Sequence, residues 1–193
     1  MKTLLIRAVD VAQTDLTPLR SFVPDQYHHF FLAGPGVGPY RLLAYLSTQF
    51  NDQTLVEVGV HNGWGSMCLA ANPHNRVVGY DIDLSTFNLS IGASHPNLTV
   101  KEGLAHEMDP DLLLAAPLIH FDALHDGVYE QVFFDWLVSR GYEGILVLDD
   151  IHLNPAMQRF WAGITLPKHD LTRLGHSTGT GFVCFGDTSV QIT

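Results

Sequence analysis

Positive charge is scarce in this chain. Of 193 residues, ten are Lys or Arg against twenty Asp or Glu, a formal net charge of −10 at pH 7. The only lysines are Lys2, Lys101 and Lys168. Such a surface repels polyanions, which argues against nucleic acid as a substrate and against an anionic membrane as a partner. Cysteine is scarcer still. Cys68 and Cys184 lie far apart, and two cysteines in a chain of this length do not make a disulfide scaffold, so buried reduced thiols are expected. Long apolar runs are missing. No window approaches the roughly 20 residues of a membrane span. The opening run is broken by Arg7 and Asp10, too early for a secretory core region. A soluble, cytoplasmic protein is the expectation. Internal repeats, low-complexity tracts and long linkers are absent as well.

What remains is a globular composition, 46% hydrophobic and 16% charged, in a length that suits one α/β domain. Residues 1–37 are mixed, with turn signals at Pro18, Pro24 and AGPG (33–36). They read as an appendage and a candidate substrate cover, leaving 38–193 as the main domain. Residues 40–50 have helical spacing. Short apolar runs then alternate with helical segments: strands at 54–60, 76–82, 97–103, 117–123 and 144–150, and helices near 66–71, 85–90, 110–115, 129–140 and 155–164. Two further strands, 169–175 and 181–187, are joined by a Ser/Thr/Gly loop too short for a helix. The pattern predicts a doubly wound, mostly parallel seven-stranded sheet with a C-terminal antiparallel hairpin. Ligands of such sheets bind beyond the carboxyl ends of the strands. Chemistry is therefore expected after residues 60, 81, 103, 122 and 149.

The first of those ends reads Glu57-Val-Gly59-Val-His-Asn-Gly63-Trp-Gly65-Ser66. A strand running through glycines into a helix presents free amides and permits close approach of a nucleotide-like ligand. The spacing is G-x-x-x-G-x-G, not the G-x-G-x-x-G of dinucleotide sites. A carboxylate just before the first glycine would repel a pyrophosphate, but it suits a sulfonium and an amino group. The second strand ends in Asp81, placed to accept hydrogen bonds from ribose hydroxyls. Over residues 38 to 187 the chain resembles the class I S-adenosylmethionine-dependent methyltransferases, through EVGVHNGWG and VVGYDID. That resemblance implies that Glu57, Gly59, Gly63, Gly65 and Ser66 line the methionine half of the cofactor. It implies that Asp81 holds the ribose and that Gly103 lies near the adenine.

The fourth strand delivers Asp122 and His125, and the fifth delivers Asp149, Asp150 and His152. Three clustered carboxylates repel one another unless a cation or protons intervene, and oxygen ligands suit Mg²⁺ or a similar divalent ion. The stretch IHFDALHDGVYEQVFFDWLVSRGYEGILVLDDIH resembles the metal-dependent small-molecule O-methyltransferases of the macrolide-sugar type. The resemblance implies Asp122, Asp149 and Asp150 as metal ligands and His125 as general base. Catechol-type enzymes carry lysine where His125 stands, so the chain sides with the macrolide-sugar type. It lacks the extra domain of longer members, which leaves homo-oligomerisation and the origin of a substrate lid open. The expected activity is metal-assisted transfer of a methyl group to a small-molecule hydroxyl. Rival readings are a silent binding protein, a hydroxylase-like relative and an NAD-dependent oxidoreductase. Among other residues, His120 reads as a hydrogen-bonded core residue, His61 as a loop residue and His152 as a candidate assistant. His28 and His29 read as part of a cover, and Trp64 as packing against cofactor or helix.

Overall fold

The computed structural model describes residues 2–32, 34 and 36–193, so the turn signal at 33–36 lies partly outside the described residues. The chain opens with β1 (Lys2–Ile6) and α1 (Ala8–Gln13). Two 3-10 turns and a short α2 (His28–Phe31) lead to the first long helix, α3 (Val37–Thr48). Alternation follows: β2 (Thr54–Val58), α4 (Trp64–Leu69), β3 (Arg76–Asp81), α5 (Leu89–Ser94) and β4 (Leu98–Glu102). Next come α6 (Ala105–Met108), α7 (Pro110–Ala115), β5 (Leu118–Phe121), α8 (Tyr129–Ser139), β6 (Ile145–Asp149) and α9 (Pro155–Gly163). The chain closes with β7 (Lys168–Asp170), β8 (Thr180–Cys184) and β9 (Thr188–Ile192).

Seven strands form one sheet in the order β4-β3-β2-β5-β6-β8-β7. The first five are parallel, and β8 runs antiparallel to both β6 and β7. This is the doubly wound sheet with a terminal hairpin that the strand pattern predicts. The central strands carry near-continuous apolar runs because helices cover both faces. One face packs Leu42, Leu46, Met67 and Leu69 against the sheet, and the other packs Phe133, Leu137, Met157 and Phe160. Both cysteines are free and buried, as their spacing suggests. Among the described residues no helix is long and apolar enough to cross a membrane.

Two boundaries shift for local reasons. The strand expected at 169–175 stops at Asp170, whose carboxylate accepts the Thr172 amide at 3.0 Å and turns the chain. The helix expected at 85–90 starts only after Asn88, whose side chain caps the Ser90 amide at 3.1 Å.

Two strands were not visible in the pattern at all. β1 and β9 pair in parallel, Lys2 opposite Thr188 through Ile6 opposite Ile192. Leu4, Ile6, Leu19, Val23 and Phe31 join the core that contains α3 and α4. Trp64 settles into the same packing, with the rings of Tyr27, Phe31 and Tyr40 at 5.4, 6.0 and 6.1 Å.

Candidate active site

The crossovers leave β2 toward β3 on one side and β5 toward β6 on the other. The crevice of a doubly wound sheet opens at such a reversal. Here a cavity of about 390 Å³ sits over the ends of β2 to β5, lined by Gly59, His61, Tyr80, Asp81, Gly103, Asp122, His125 and others. That volume falls within the range of small-molecule sites. Its apolar walls come from Ile82, Leu104 and Leu124. Asp81 stands at its edge, accepting the His61 amide at 2.7 Å and the Asp83 amide at 3.2 Å. Gly59 has φ +92°, and a Cβ there would overlap the Asp122 carbonyl oxygen. The glycine is thus required by the close approach of the β5 end, where the Asp122 amide donates to the Val58 carbonyl at 2.8 Å.

Glu57 and Ser66 lie beneath this loop rather than in the cavity. Glu57 is 1% exposed. One carboxylate oxygen meets His120 Nδ1 at 2.9 Å, and the other accepts the Ser66 hydroxyl. Burial pushes the Glu57 carboxyl up. Burial opposes the charged form of His120, but the Glu57 carboxylate holds the imidazole above its usual range. His120 is therefore the hydrogen-bonded core residue that its mid-strand position suggests. A Cβ on Gly65 would strike the Glu57 carboxylate, so the glycine lets the start of α4 settle onto that side chain. Gly63 and Gly65 do not line the cavity.

The ends of β5 and β6 carry a chain of alternating carboxylates and imidazoles. Asp122 Oδ1 lies 3.1 Å from His125 Nε2, and that nitrogen lies 3.6 Å from Asp150 Oδ2. Asp150 Oδ1 lies 2.9 Å from His176 Nδ1, which stands 3.4 Å from Asp149 Oδ2. The other Asp149 oxygen, Oδ1, is buried without a hydrogen-bond partner. Burial pushes the Asp149 carboxyl up. Burial acts the same way on Asp150, but His176 and Thr178 outweigh it and hold that carboxyl down. Asp149 and Asp150 together push His176 up to about 10. Burial disfavours the His125 imidazolium, but Asp122, Asp150 and Asp149 raise it on balance.

The backbone under these side chains is constrained. His125 and Asp150 have φ of +53° and +58°, the left-handed region that non-glycine residues avoid. Buried Glu130 on α8 accepts the His125 and Gly127 amides, both at 2.7 Å. Asn154, which caps α9, donates to the His125 carbonyl at 2.8 Å. The loop is thus pinned from two helices in a conformation it would not choose alone.

Comparison with protein-family models finds no match. Comparison with curated proteins finds none either. Solved structures do match. The O-methyltransferase TomG of Streptomyces achromogenes, involved in tomaymycin synthesis and bound to S-adenosylmethionine, is 17% identical over 92% of this chain and 90% of its own, with a TM-score of 0.58. The O-methyltransferase of Bacillus cereus in complex with S-adenosylhomocysteine is 17% identical over 93% and 90%, with a TM-score of 0.59. The Podospora anserina methyltransferase PaMTH1, also bound to S-adenosylhomocysteine, is 13% identical over 92% and 88%, with a TM-score of 0.60. The chain has the Rossmann-like methyltransferase fold.

Within that methyltransferase fold, the residues singled out from sequence fall into three places. Gly59, Asp81, Gly103, Asp122 and His125 line the cavity. Glu57 and Ser66 form a buried support. Asp149 and Asp150 stand beside Asp122 and His125 at the neighbouring strand end. His152 turns away to pair with Asp170 at 2.8 Å. His28 contacts the Val23 carbonyl at 2.8 Å and the Arg20 side chain at 3.2 Å, fastening the N-terminal turns. Sequence reasoning missed His176, Thr178, Glu130 and Asn154. A signal for His176 existed. An antiparallel β8 must begin beside the carboxyl end of β6, so a histidine just before β8 comes within reach of Asp149. The register confirms the placement, with Thr180 opposite Asp149.

Proposed function

We propose that this protein is an S-adenosylmethionine-dependent O-methyltransferase acting on a hydroxyl of a small molecule, a sugar, phenol or peptide-derived metabolite. A divalent cation is held by Asp122, Asp149 and Asp150, with His125 as general base. The observation that carries this reading is the convergence of those four side chains at two adjacent strand ends, beside the switch-point cavity. The likeness in fold to O-methyltransferases bound to S-adenosylmethionine or S-adenosylhomocysteine supports the choice of cofactor. The donor set fits a cation: one Asp149 oxygen is buried without a partner, and ligand atoms of Asp149, Asp150 and His176 lie within 4.8 Å of one another, with Asp122 reaching Asp150 through His125. S-adenosylmethionine brings an electrophilic methyl group, and a divalent cation brings the positive charge that lowers the pKa of a nearby hydroxyl.

The chain's own residues do the rest. Asp81 accepts hydrogen bonds from the ribose hydroxyls at the cavity edge. Gly103 lies at the adenine end. Glu57 and Ser66, locked from below, set the shape of the loop through Gly59, Gly63 and Gly65 against which the methionine half lies. His125 Nε2 takes the proton of the acceptor hydroxyl. The pull with which the neighbouring carboxylates raise its pKa would be offset by a cation that they hold. Its pinned backbone fixes where that proton goes, so part of the acceleration is positioning.

The reading is tested by calorimetric titration with S-adenosylmethionine, S-adenosylhomocysteine and NAD, each with and without Mg²⁺. Micromolar binding of the two sulfur ligands and none of NAD is expected. Absence of both sulfur ligands would remove the functional claim. His125→Ala should then lower turnover by roughly 10²–10⁴-fold while cofactor affinity stays unchanged.

A further inference from the structure

His176 lies outside every motif that pointed to the site, yet it touches two of the carboxylates assigned to the cation. Ligand atoms of Asp149, Asp150 and His176 all lie within 4.8 Å of one another. Around an ion with bonds of about 2.1 Å, neighbouring ligand atoms stand roughly 3.0–3.4 Å apart. The separations of His176 Nδ1 from Asp150 Oδ1 and Asp149 Oδ2, 2.9 and 3.4 Å, already match that spacing. A second observation concerns the other oxygen of the same Asp149 carboxylate. Asp149 is 8% exposed, and its Oδ1 has no partner, which is costly for a buried carboxylate oxygen unless a cation completes it.

The surroundings hold the imidazole there. The His176 amide donates to Thr180 Oγ1 at 2.8 Å, and Thr180 is in register with Asp149. The Thr178 hydroxyl meets both His176 Nδ1, at 2.9 Å, and Asp150 Oδ1. At Nδ1 that hydroxyl stands on the nitrogen a cation would need, so a bound ion would take its place there and leave Thr178 to Asp150. The Thr178 carbonyl accepts the His152 amide at 2.7 Å, which ties the loop to the turn after β6.

We propose that His176 is a nitrogen ligand of the cation site, joining Asp149 and Asp150, and that the site therefore selects a transition-series ion such as Mn²⁺ or Zn²⁺ over Mg²⁺. Mg²⁺ demands oxygen ligands and sheds water reluctantly, whereas imidazole suits the transition metals. The inference rests on the cation site of the preceding reading, not on methyl transfer.

The test uses the full chain stripped with a chelator. Calorimetry compares Mn²⁺, Zn²⁺ and Mg²⁺, and pulsed electron paramagnetic resonance of the Mn²⁺-loaded protein looks for a directly bound nitrogen. We expect nitrogen coupling in the wild type, its loss in His176→Ala, and its retention in His125→Ala. Mn²⁺ should bind wild type at least about tenfold more tightly than Mg²⁺, and His176→Ala should erase that preference. Wild-type Mn²⁺ without nitrogen coupling, or equal affinities for Mn²⁺ and Mg²⁺, would overturn the proposal without need of any variant. Coupling that survives His176→Ala but disappears in His125→Ala would overturn it too, by naming the other histidine. S-adenosylmethionine titrated into the same samples separates the two readings. Nitrogen-bound Mn²⁺ with no cofactor binding sinks methyl transfer alone. Cofactor binding with no cation binding sinks this proposal and the cation part of the other.

Discussion

The two halves of the carboxyl edge are built on opposite principles. In the half made by β2, β3 and β4, three carboxylates each have protein partners. Glu57 is held by His120 and Ser66, Asp81 accepts two backbone amides, and Asp109 accepts from Lys101 and Tyr80. In the half made by β5 and β6, the accounting does not close. Asp149 keeps an oxygen with no partner, and His125 and Asp150 hold left-handed backbone. Left-handed conformation alone does not separate the halves, since His61 has φ +47° in the first. His106 Nδ1, on α6 after β4, is also buried without a partner, so the separation lies in the carboxylates: the three named in the first half are paired, and Asp149 keeps an unpaired oxygen. A buried carboxylate oxygen without a partner costs stability, and a cation is one thing that would satisfy it. In its carboxylates the first half is a finished support, and the second is where the proposed cation would sit.

The largest expected effect attacks the finished half. Glu57→Ala strands His120, a buried imidazole whose hydrogen-bond partner and pKa-raising neighbour is that carboxylate, and should cost about 3–5 kcal/mol in urea unfolding. The comparison would break if Glu57→Ala unfolded at the wild-type urea midpoint. Its counterpart in the other half is Asp149→Asn. Without added cation that change should leave stability within about 1 kcal/mol of wild type, because it removes a charge disfavoured by burial and by Asp122. The difference should appear when a cation is added. At a hundred times its dissociation constant a bound ion stabilises wild type by about 2.7 kcal/mol, and Asp149→Asn should show none of that gain in a thermal melt.

The cavity side gives a smaller effect. Asp81 keeps hydrogen-bonding capacity after accepting the His61 and Asp83 amides, so its replacement tests recognition more than folding. Asp81→Asn should weaken S-adenosylmethionine binding by roughly tenfold, the loss of about one charge-assisted hydrogen bond, with little change in unfolding. If binding held while stability dropped, Asp81 would belong with Glu57 as support, and the line between the halves would move.

How far the site could be read from sequence follows the same division. The parallel strands were legible because each is a short apolar run ending in a turn, and strand ends locate Asp81, Asp122 and Asp149 without any knowledge of packing. β1 and β9 were not legible. Five-residue runs at the two ends of a chain carry no periodic signal, and only their pairing across the molecule makes them strands. His176 escaped for a related reason. It sits in a turn of Ser, Thr and Gly with no motif spacing, and an antiparallel register delivers it. Glu57 was legible as a motif residue, but its direction was not, because the choice between cavity and core depends on His120, 63 positions away.

The smallest effect asks whether the finished half behaves as ordinary protein. Lys101 Nζ lies 2.6 Å from Asp109 Oδ2, and the Tyr80 hydroxyl donates to the same oxygen at 2.6 Å. Lys101 first, then Tyr80, holds the Asp109 carboxyl below its ordinary value. A carboxyl depressed on folding contributes stability above its unfolded pKa and loses it as pH falls through the folded one. The contribution should therefore be whole at pH 7 and fade only below about pH 4. The pair is partly open to water, so Asp109→Asn should cost no more than about 1 kcal/mol at pH 7, and less in high salt. Urea unfolding at about pH 7, 4 and 3, with and without roughly 1 M salt, on the order of ten times physiological strength, reads both dependences. A cost well above that, insensitive to salt, would mean that this half also stores strained electrostatics. The contrast with the cation site would then be one of degree rather than of kind.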